Sequence, residues 1–498
     1  PAAADGTVLM AIRPASFFRS GSTTLMTVAR PRVIALTIGK HAPIFGVLCL
    51  PPGLWGWFER DWPFALVLLT PTLIAGLVHV AVRRHPLPED LRGLEAMMTV
   101  ALVFLIAALL TMPAFIVLGM PPADAFFEAV SGITTTGLTV AQDAESWPFA
   151  GHVLRGWMQW CGGLVIATAV LALLLPRGRP ARRLGHVDIQ QGDRISSTRL
   201  QARELLAVYG VLTLVMVALT ILVIPDWREA LVLTLSAIST AGFSPRADSL
   251  ASYSPLGQGM VMLSCVLGAV SLLVFVHVGQ GRFREAWQLG SVQRVLAALA
   301  VMSAVYLAAV AIISTDRELT LYDHALNLIS GLTTAGFSTG PVYDAGPALL
   351  ILLLAMLWGG DAGSTAGGLK LSRLHVCIGA VVHAVQHVRL TEHAVVPLRH
   401  EGRPVSTEAL VRLVAFVLIY LGFAGLLWFH FLVHGYAPLP ALFDTVSALS
   451  TVGLSTGAVG PEMPVDLKLS VAFAMWLGRL EFIAVLALLL PRSWARAT

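Results

Sequence analysis

Long apolar runs separated by short polar intervals dominate this chain. At a rise of about 1.5 Å per residue, a helix needs about 20 apolar residues to cross the hydrocarbon core of a bilayer. Windows of that kind lie at 33–54, 63–82, 97–118, 152–175, 205–224, 256–278, 292–313, from 348 to a break near Gly359 after which the run resumes, 410–433 and 467–490. The pattern predicts about ten transmembrane helices. Four shorter apolar stretches, 124–130, 229–235, 323–329 and 442–446, are too short to span. Each is followed by a Ser/Thr/Gly segment and then by a long window, so the order reads span, re-entrant helix, loop, span, four times over.

The four Ser/Thr/Gly segments are copies of one pattern. They begin at Ser131, Ser236, Ser330 and Ser447, and each reads Ser-[Gly/Ala]-[Ile/Leu]-[Ser/Thr]-Thr-x-Gly-[Leu/Phe]. Their glycines, Gly137, Gly242, Gly336 and Gly453, stand 105, 94 and 117 residues apart. A fourfold repeat in a membrane chain predicts four equivalent elements around one axis, with a pore on that axis. Non-helical backbone at membrane depth is tolerated only where it is buried in protein or lines a wet cavity. Four such loops can turn carbonyls toward a cation. Glycine permits the backbone angles this needs, and small Ser/Thr side chains allow close approach. The segments Thr135-Thr136-Gly137, Thr240-Ala241-Gly242, Thr334-Ala335-Gly336 and Thr451-Val452-Gly453 are similar to the Thr-Val-Gly-Tyr-Gly filter of potassium channels, whose carbonyls replace the ion's hydration shell. One glycine per copy predicts fewer well-formed ion sites. Packing of small residues between helices is the alternative use of such a patch.

Composition fixes the class. The chain of 498 residues is 56% hydrophobic and 12% charged, with a mean hydropathy of +0.77, far below the roughly 25% charge of soluble domains. Basic residues assign the sides. Seven arginines (Arg177, Arg179, Arg182, Arg183, Arg194, Arg199 and Arg203) crowd the interval 176–204, which places it in the cytoplasm. Arg83, Arg84 and Arg92, Arg282, Arg284 and Arg294, and Lys370, Arg373, Arg389, Arg399 and Arg403 mark alternate intervals on the same side, together with Arg13, Arg19, Arg30 and Arg32 before the first span. The repeated motifs then face outward, and both termini face the cytoplasm. A net charge of +4 distributed in this way sets topology and does not point to nucleic acid. Pro1 to Gly6 carry no fold signal and are set aside as an appended or truncated end.

Two further features carry chemistry. Gly359, Gly360, Gly363, Gly367 and Gly368 cannot continue a helix comfortably, so the eighth span should unwind between Trp358 and Lys370. A broken helix facing a cavity is a candidate gate; a static kink is the alternative. No Gly-Lys-[Ser/Thr] follows these glycines, so the segment is not a phosphate loop. Arg479 sits in the middle of the last span, where an arginine costs roughly 2.5–3.5 kcal/mol, so it should face the pore or an acidic partner.

With these motifs in hand, residues 95–491 resemble the Trk/Ktr/HKT superfamily of potassium transporters, and within it the bacterial TrkH-type membrane subunits. Gly156-Trp-Met-Gln-Trp-Cys-Gly-Gly163, Gly359-Gly-Asp-Ala-Gly-Ser-Thr-Ala-Gly-Gly-Leu-Lys370 and Gly478-Arg-Leu-Glu481 strengthen the match. The resemblance implies an all-α polytopic membrane protein of about ten transmembrane helices and four re-entrant pore helices in four pseudo-fourfold repeats. Its parts would be a cytoplasmic segment 1–32, an extra helix pair 33–94, pore repeats 95–184, 185–284, 285–405 and 406–498, with the gating loop in the third. It also implies potassium uptake across the bacterial inner membrane through a carbonyl filter. In HKT relatives a serine at the first filter glycine accompanies sodium permeation, and here all four positions are glycine.

The family's intramembrane loop obstructs the passage below the filter, a role carried here to Gly359, Gly360, Asp361, Gly363, Ser364, Thr365, Gly367, Gly368 and Lys370. Its arginine near the pore corresponds to Arg479, whose charge would throttle cation flux. Asp361 departs from the small or neutral residue expected in this loop. It is expected to attract cations or pair with Arg479, or else to cap the resumed helix. The family further implies a homodimer with one pore per protomer and a cytoplasmic ring of TrkA-like RCK domains binding NAD, ATP or ADP. No cofactor is expected on this chain, which carries no dinucleotide or Walker fingerprint. The basic inner loops suit docking of such a partner, and equally contact with anionic lipid.

Other readings are weaker. Coupled symport of potassium with sodium or protons would need acidic residues at mid-membrane, and Asp361 and Glu481 are the main ones noted. A less selective sodium and potassium channel is a second alternative. No nucleophile and base assemble into a catalytic set, so the chain is not read as an enzyme. His383 and His387 share a helix face, with His375, His393 and His400 nearby, but no carboxylate or cysteine completes a metal set. Cys49, Cys161, Cys265 and Cys377 lack paired spacing and read as packing residues.

Overall fold

The computed structural model describes residues 28–86, 92–174, 194–313, 319–342, 348–389, 398–400 and 403–494. The intervals holding Arg13, Arg19, Arg177, Arg179, Arg182, Arg183 and His393 lie outside these residues.

Helices α1 (Pro31–Lys40) and α2 (Pro43–Phe58) form one bent pair, and α3 (Trp62–Val82) packs along α2. Four long–short–long units follow. The first is α4 (Gly93–Val117), α5 (Pro122–Ile133) and α6 (Phe149–Leu174). The second is α7 (Arg194–Ile221), α8 (Trp227–Ile238), α9 (Pro255–Ala269) and α10 (Leu272–Gly279), after which a short α11 (Phe283–Gln288) leads to the third. That unit comprises α12 (Ser291–Ile313), α13 (Leu321–Thr333), α14 (Leu349–Trp358) and α15 (Leu371–His387). Beyond a two-residue antiparallel pairing of β1 (Arg399–His400) with β2 (Arg403–Pro404), the fourth unit holds α16 (Thr407–Val433), α17 (Pro438–Leu449), α18 (Val465–Arg479) and α19 (Ile483–Leu489). The molecule is an all-helical, polytopic membrane protein. Among the described residues, five helices are long and apolar enough to cross a bilayer, and eight spans result if each bent pair counts once. α6, 26 residues long, and the interrupted α14–α15 pair occupy the other two expected positions.

The short helices α5, α8, α13 and α17 run 12, 12, 13 and 12 residues, longer than the apolar pattern indicates. They begin earlier because Pro122 and Pro438 occupy first-turn positions, Asp226 caps α8, and Thr320 with Asp323 forms a capping box. They end later because the first residues of each motif stay helical. Each short helix packs between the two long elements of its own unit and against an element of the preceding one: α18 on α5, α6 on α8, α9 on α13 and α14 on α17. The contact of the fourth unit with the first closes the cycle.

Three windows that read as continuous spans are broken, the first by the 41° bend between α1 and α2 and two others more sharply. α9 and α10 meet at 90° and α18 and α19 at 117°. The cause of these two sharp breaks is tertiary. Ser271 N donates to Ser291 Oγ (3.0 Å) and Leu272 N to Gly363 O (3.0 Å), both outside the helix. At the α18–α19 break Glu481 and Phe482 adopt φ of 55° and 61°, with the Phe482 ring packed 5.7, 5.7 and 5.8 Å from those of Phe416, Tyr420 and Phe423. The outer faces of the long helices remain apolar, with Leu73, Leu77, Leu214, Leu222, Leu418 and Leu426 exposed as a lipid-facing surface requires.

Candidate functional site

The four short helices end in the same way. In each, the residue before the glycine donates its amide to the motif serine carbonyl: Thr136 to Ser131 (2.9 Å), Ala241 to Ser236 (3.1 Å), Ala335 to Ser330 (2.9 Å) and Val452 to Ser447 (2.9 Å). The preceding threonine donates one turn back, Thr135 to Gly132, Thr240 to Ala237, Thr334 to Gly331 and Thr451 to Ala448. This is a Schellman helix end, whose left-handed position is ordinarily glycine. Here it is threonine in all four copies, with φ of 54°, 52°, 56° and 49°. A β-branched residue there is strained, and strain repeated at four equivalent positions marks a functional constraint.

Two residues on, Gly137, Gly242, Gly336 and Gly453 also have positive φ, 86°, 86°, 75° and 101°. Each faces the next repeat. A Cβ on Gly137 would stand 2.1 Å from Ala241 O, one on Gly242 2.3 Å from Ala335 O, one on Gly336 2.3 Å from Val452 O, and one on Gly453 2.2 Å from Thr136 O. The four loops therefore form a closed ring in chain order, too tight for any side chain at the glycine. Among the described residues, no hydrogen bond ends on the carbonyl oxygens of Thr135, Gly137, Thr240, Gly242, Thr334, Gly336, Thr451 or Gly453. The buried hydroxyls of Thr135 and Thr451 are likewise unpartnered among these residues. Such a ring supplies oxygen ligands of the kind that suit a hard monovalent or divalent cation.

Buried side chains brace the chain leaving the ring. Glu128, three residues before Ser131, accepts from Thr139 Oγ1 (3.0 Å) and pairs with Arg155 (3.0 Å), whose guanidinium lies 3.9 Å from the Phe243 ring centroid. Asn327 accepts from Thr339 N (3.1 Å). Asp444 accepts from Ser455 Oγ (2.6 Å), Thr456 N (2.8 Å), Thr456 Oγ1 (3.0 Å) and Val459 N (2.8 Å). Leu233 occupies this position in the second repeat, where Gln159 acts instead, accepting from Ser236 Oγ (2.6 Å) and Phe243 N (3.3 Å) and donating to Ala241 O (3.0 Å). The sequence reading overlooked Glu128 and Asp444, although both stand three residues before a motif serine. In the loop after the second motif, Arg246 donates to Glu229 (2.9 Å), a bond that raises the pKa of the guanidinium.

Directly against the ring lies the segment between α14 and α15. Thr365 Oγ1 meets Thr240 Oγ1 (3.3 Å) and donates to Gly268 O (3.0 Å), Gly367 N donates to Thr334 Oγ1 (2.7 Å), and Gly368 N donates to Ser450 O (3.1 Å). One segment thus touches the motifs of three repeats. Gly359, Gly363 and Gly368 have positive φ, and a Cβ on Gly359 would stand 2.3 Å from Gly367 O. Gly360 faces Ala366, Ser364 Oγ donates to Asp361 O (2.6 Å), and buried Lys370 hydrogen-bonds Ala366 O. Arg479 is buried and donates to Thr365 O (2.8 Å), while its Nε and Nη2 have no hydrogen-bond partner among the described residues.

Three expectations are corrected. Asp361 pairs with Arg294 (2.8 Å), not with Arg479, because the first turn of α12 lies nearer to it than α18. It does not cap the resumed helix, whose N-cap is Lys370, nine residues further on. Buried acids outside the broken segment are also more numerous than expected, since Glu128 and Asp444 are fully buried. Glu481, in the break after α18, pairs with Arg373 (2.5 Å).

One glycine recurs at an equivalent place in three repeats. Gly162, Gly268 and Gly478 stand 25, 26 and 25 residues after Gly137, Gly242 and Gly453. A Cβ on them would lie 2.0 Å from Ile133 O, 2.4 Å from Ile238 O and 1.9 Å from Leu449 O, so each lets a long helix pass under the end of its short one. Register places Arg479 just after the last of them, where the other two repeats carry Gly163 and Ala269.

A family model described as the cation transport protein TrkH matches residues 97–280 and 282–494. An uncharacterized cation transporter of Methanocaldococcus jannaschii is 27% identical over 91% of this chain and 94% of its own length. The Trk system potassium uptake protein TrkH of Halomonas elongata is 27% identical over 93% of this chain and 99% of its own. The crystal structure of the potassium transporter TrkH from Vibrio parahaemolyticus superposes with a TM-score of 0.81 at 21% identity, covering 94% of this chain and all of that one.

Proposed function

The chain belongs to the TrkH family of cation transport proteins, and on that premise we propose that it takes up potassium through a channel-like pore whose filter is the ring of Thr135–Gly137, Thr240–Gly242, Thr334–Gly336 and Thr451–Gly453. The cyclic fit of each glycine against the next repeat's carbonyl carries this reading. Carbonyls without hydrogen-bond partners replace the hydration shell of a dehydrated cation, and a ring closed by backbone contact resists collapse around a smaller ion. Curated relatives named as potassium uptake proteins, and glycine at all four positions, favour potassium over sodium.

In this reading the segment from Gly359 to Lys370 is the gate. Its contacts with Thr240, Thr334 and Ser450 support a position across the path below the ring, where Arg479, by holding Thr365 O, would add a fixed positive charge. Opening requires those hydrogen bonds and the Arg294–Asp361 pair to yield together. We further place the protein in the inner membrane with both termini cytoplasmic, as a homodimer regulated by an RCK-type nucleotide-binding partner at the basic loops. One observation favours coupled symport instead: Asp444 is fully buried and has no basic partner among the described residues. Its four hydrogen bonds hold it to the loop after the filter, which argues for bracing.

The test is flux of potassium, rubidium and sodium in proteoliposomes under an imposed voltage, comparing the parent with Gly137→Ser. Selective flux that loses selectivity in the variant supports the filter. Equal sodium and potassium flux in the parent overturns it.

A further inference from the structure

A second histidine pair sits at the end of α16. His430 and His434 are one turn apart, so both rings leave the same face, and their centroids are 5.1 Å apart. From the first turn of α18, Asp466 reaches both: its Oδ2 lies 3.2 Å from His430 Nε2 and 2.9 Å from His434 Nε2. Two imidazoles and a carboxylate thus converge on one point from two helices. Among the described residues this is a set of three metal-binding side chains whose donor atoms all lie within 4.8 Å of one another. The side chains are 30%, 26% and 60% exposed, so an ion reaches them from solvent.

We propose that His430, His434 and Asp466 form a binding site for a divalent transition metal of the zinc class, separate from the filter. Imidazole nitrogen with one carboxylate oxygen is a donor set that suits zinc and its neighbours and is poor for potassium, calcium or magnesium. Three protein ligands leave coordination positions for water. Zinc–donor distances of about 2.0–2.2 Å require donors roughly 3.0–3.5 Å apart, close to the two observed separations, so the metal enters with small side-chain movements. α16 leads into the short helix α17, and α18 follows the loop of Gly453. A metal here fastens the long helix before the fourth short helix to the long helix after its motif.

The experiment uses the purified, untagged full-length chain in detergent micelles, titrated with Zn2+ by calorimetry and with Co2+ by visible absorption. The parent should bind one Zn2+ per chain and give Co2+ ligand-field bands, and His430→Gln, His434→Gln and Asp466→Asn should each weaken binding by about tenfold or more. His383→Gln, in the other histidine group, should bind like the parent. Size-exclusion elution without metal verifies folding, and a rise in thermal midpoint with Zn2+ should be present in the parent and absent in whichever of the three variants fold. Zinc uptake that is the same in the parent and these variants, or absent from the parent, overturns the proposal and leaves the cluster as a His–Asp ion pair.

Discussion

Gly453 lies against the carbonyl of Thr136, so that a Cβ at 453 would stand 2.2 Å from that oxygen. These residues belong to the last and first copies of one motif, and their contact closes the ring that the other three glycine contacts build. Side-chain volume at the glycine and the shape of the ring are therefore one variable.

Replacing Gly453 with alanine forces the Thr136 carbonyl away and places a Cβ at φ 101°. With about 1–3 kcal/mol of local strain directed at the ion-binding atoms, potassium flux should fall roughly tenfold or lose selectivity. Gly460→Ala, where a Cβ meets nothing within 4 Å, is the matched control. Equal flux from both variants in proteoliposomes would show that the ring is not the filter.

Arg479 makes one hydrogen bond to backbone and has no carboxylate partner among the described residues. Its removal relieves a buried charge, which costs roughly 2.5–3.5 kcal/mol at mid-membrane. Arg479→Ala should raise flux by about 3-fold or more, an energy difference of at least about 0.6 kcal/mol, without lowering the thermal midpoint, with Arg479→Lys intermediate. A folded Arg479→Ala protein with unchanged rate would remove the arginine from the conduction path.

The Arg294–Asp361 pair ties the gate segment to α12, with Asp361 almost fully buried. Breaking a buried pair from one side costs about 3–5 kcal/mol, and less here because Arg294 is 18% exposed. Asp361→Asn should lower the midpoint and raise basal flux while leaving its dependence on salt unchanged. A double-mutant cycle with Arg294→Gln should give a coupling of about 0.5–3 kcal/mol. Additive effects would mean that the pair does not hold the segment.

Asp444 and Glu128 brace the loops beyond the ring. Asp444→Asn turns an acceptor into a donor facing amide and hydroxyl donors, at a cost of about 1–3 kcal/mol read as a lower midpoint. The reversal potential of the parent should follow the potassium gradient and ignore an imposed pH gradient. A shift with pH that Asp444→Asn abolishes would establish proton coupling instead.

What the sequence by itself determined was whatever depends on local chain chemistry. Apolar length set the spans, the repeated Ser/Thr/Gly motif located the four helix ends, and the cluster of glycines after Trp358 located the interruption between α14 and α15. These are short-range consequences of bilayer thickness and backbone freedom. Tertiary structure decided the partners. Asp361 was legible as a costly charge, but its choice of Arg294 over Arg479 depends on how α12 and α18 are placed. The breaks at Ser271 and Phe482 interrupt runs long and apolar enough to read as spans, and they form because hydrogen bonds and ring packing from distant segments compensate for lost helix. The same spacing marks His383 with His387 and His430 with His434, yet only a fold can bring Asp466 from another helix to complete the second pair. Periodicity records which face a residue occupies; what that face meets is settled by the packing of the whole bundle.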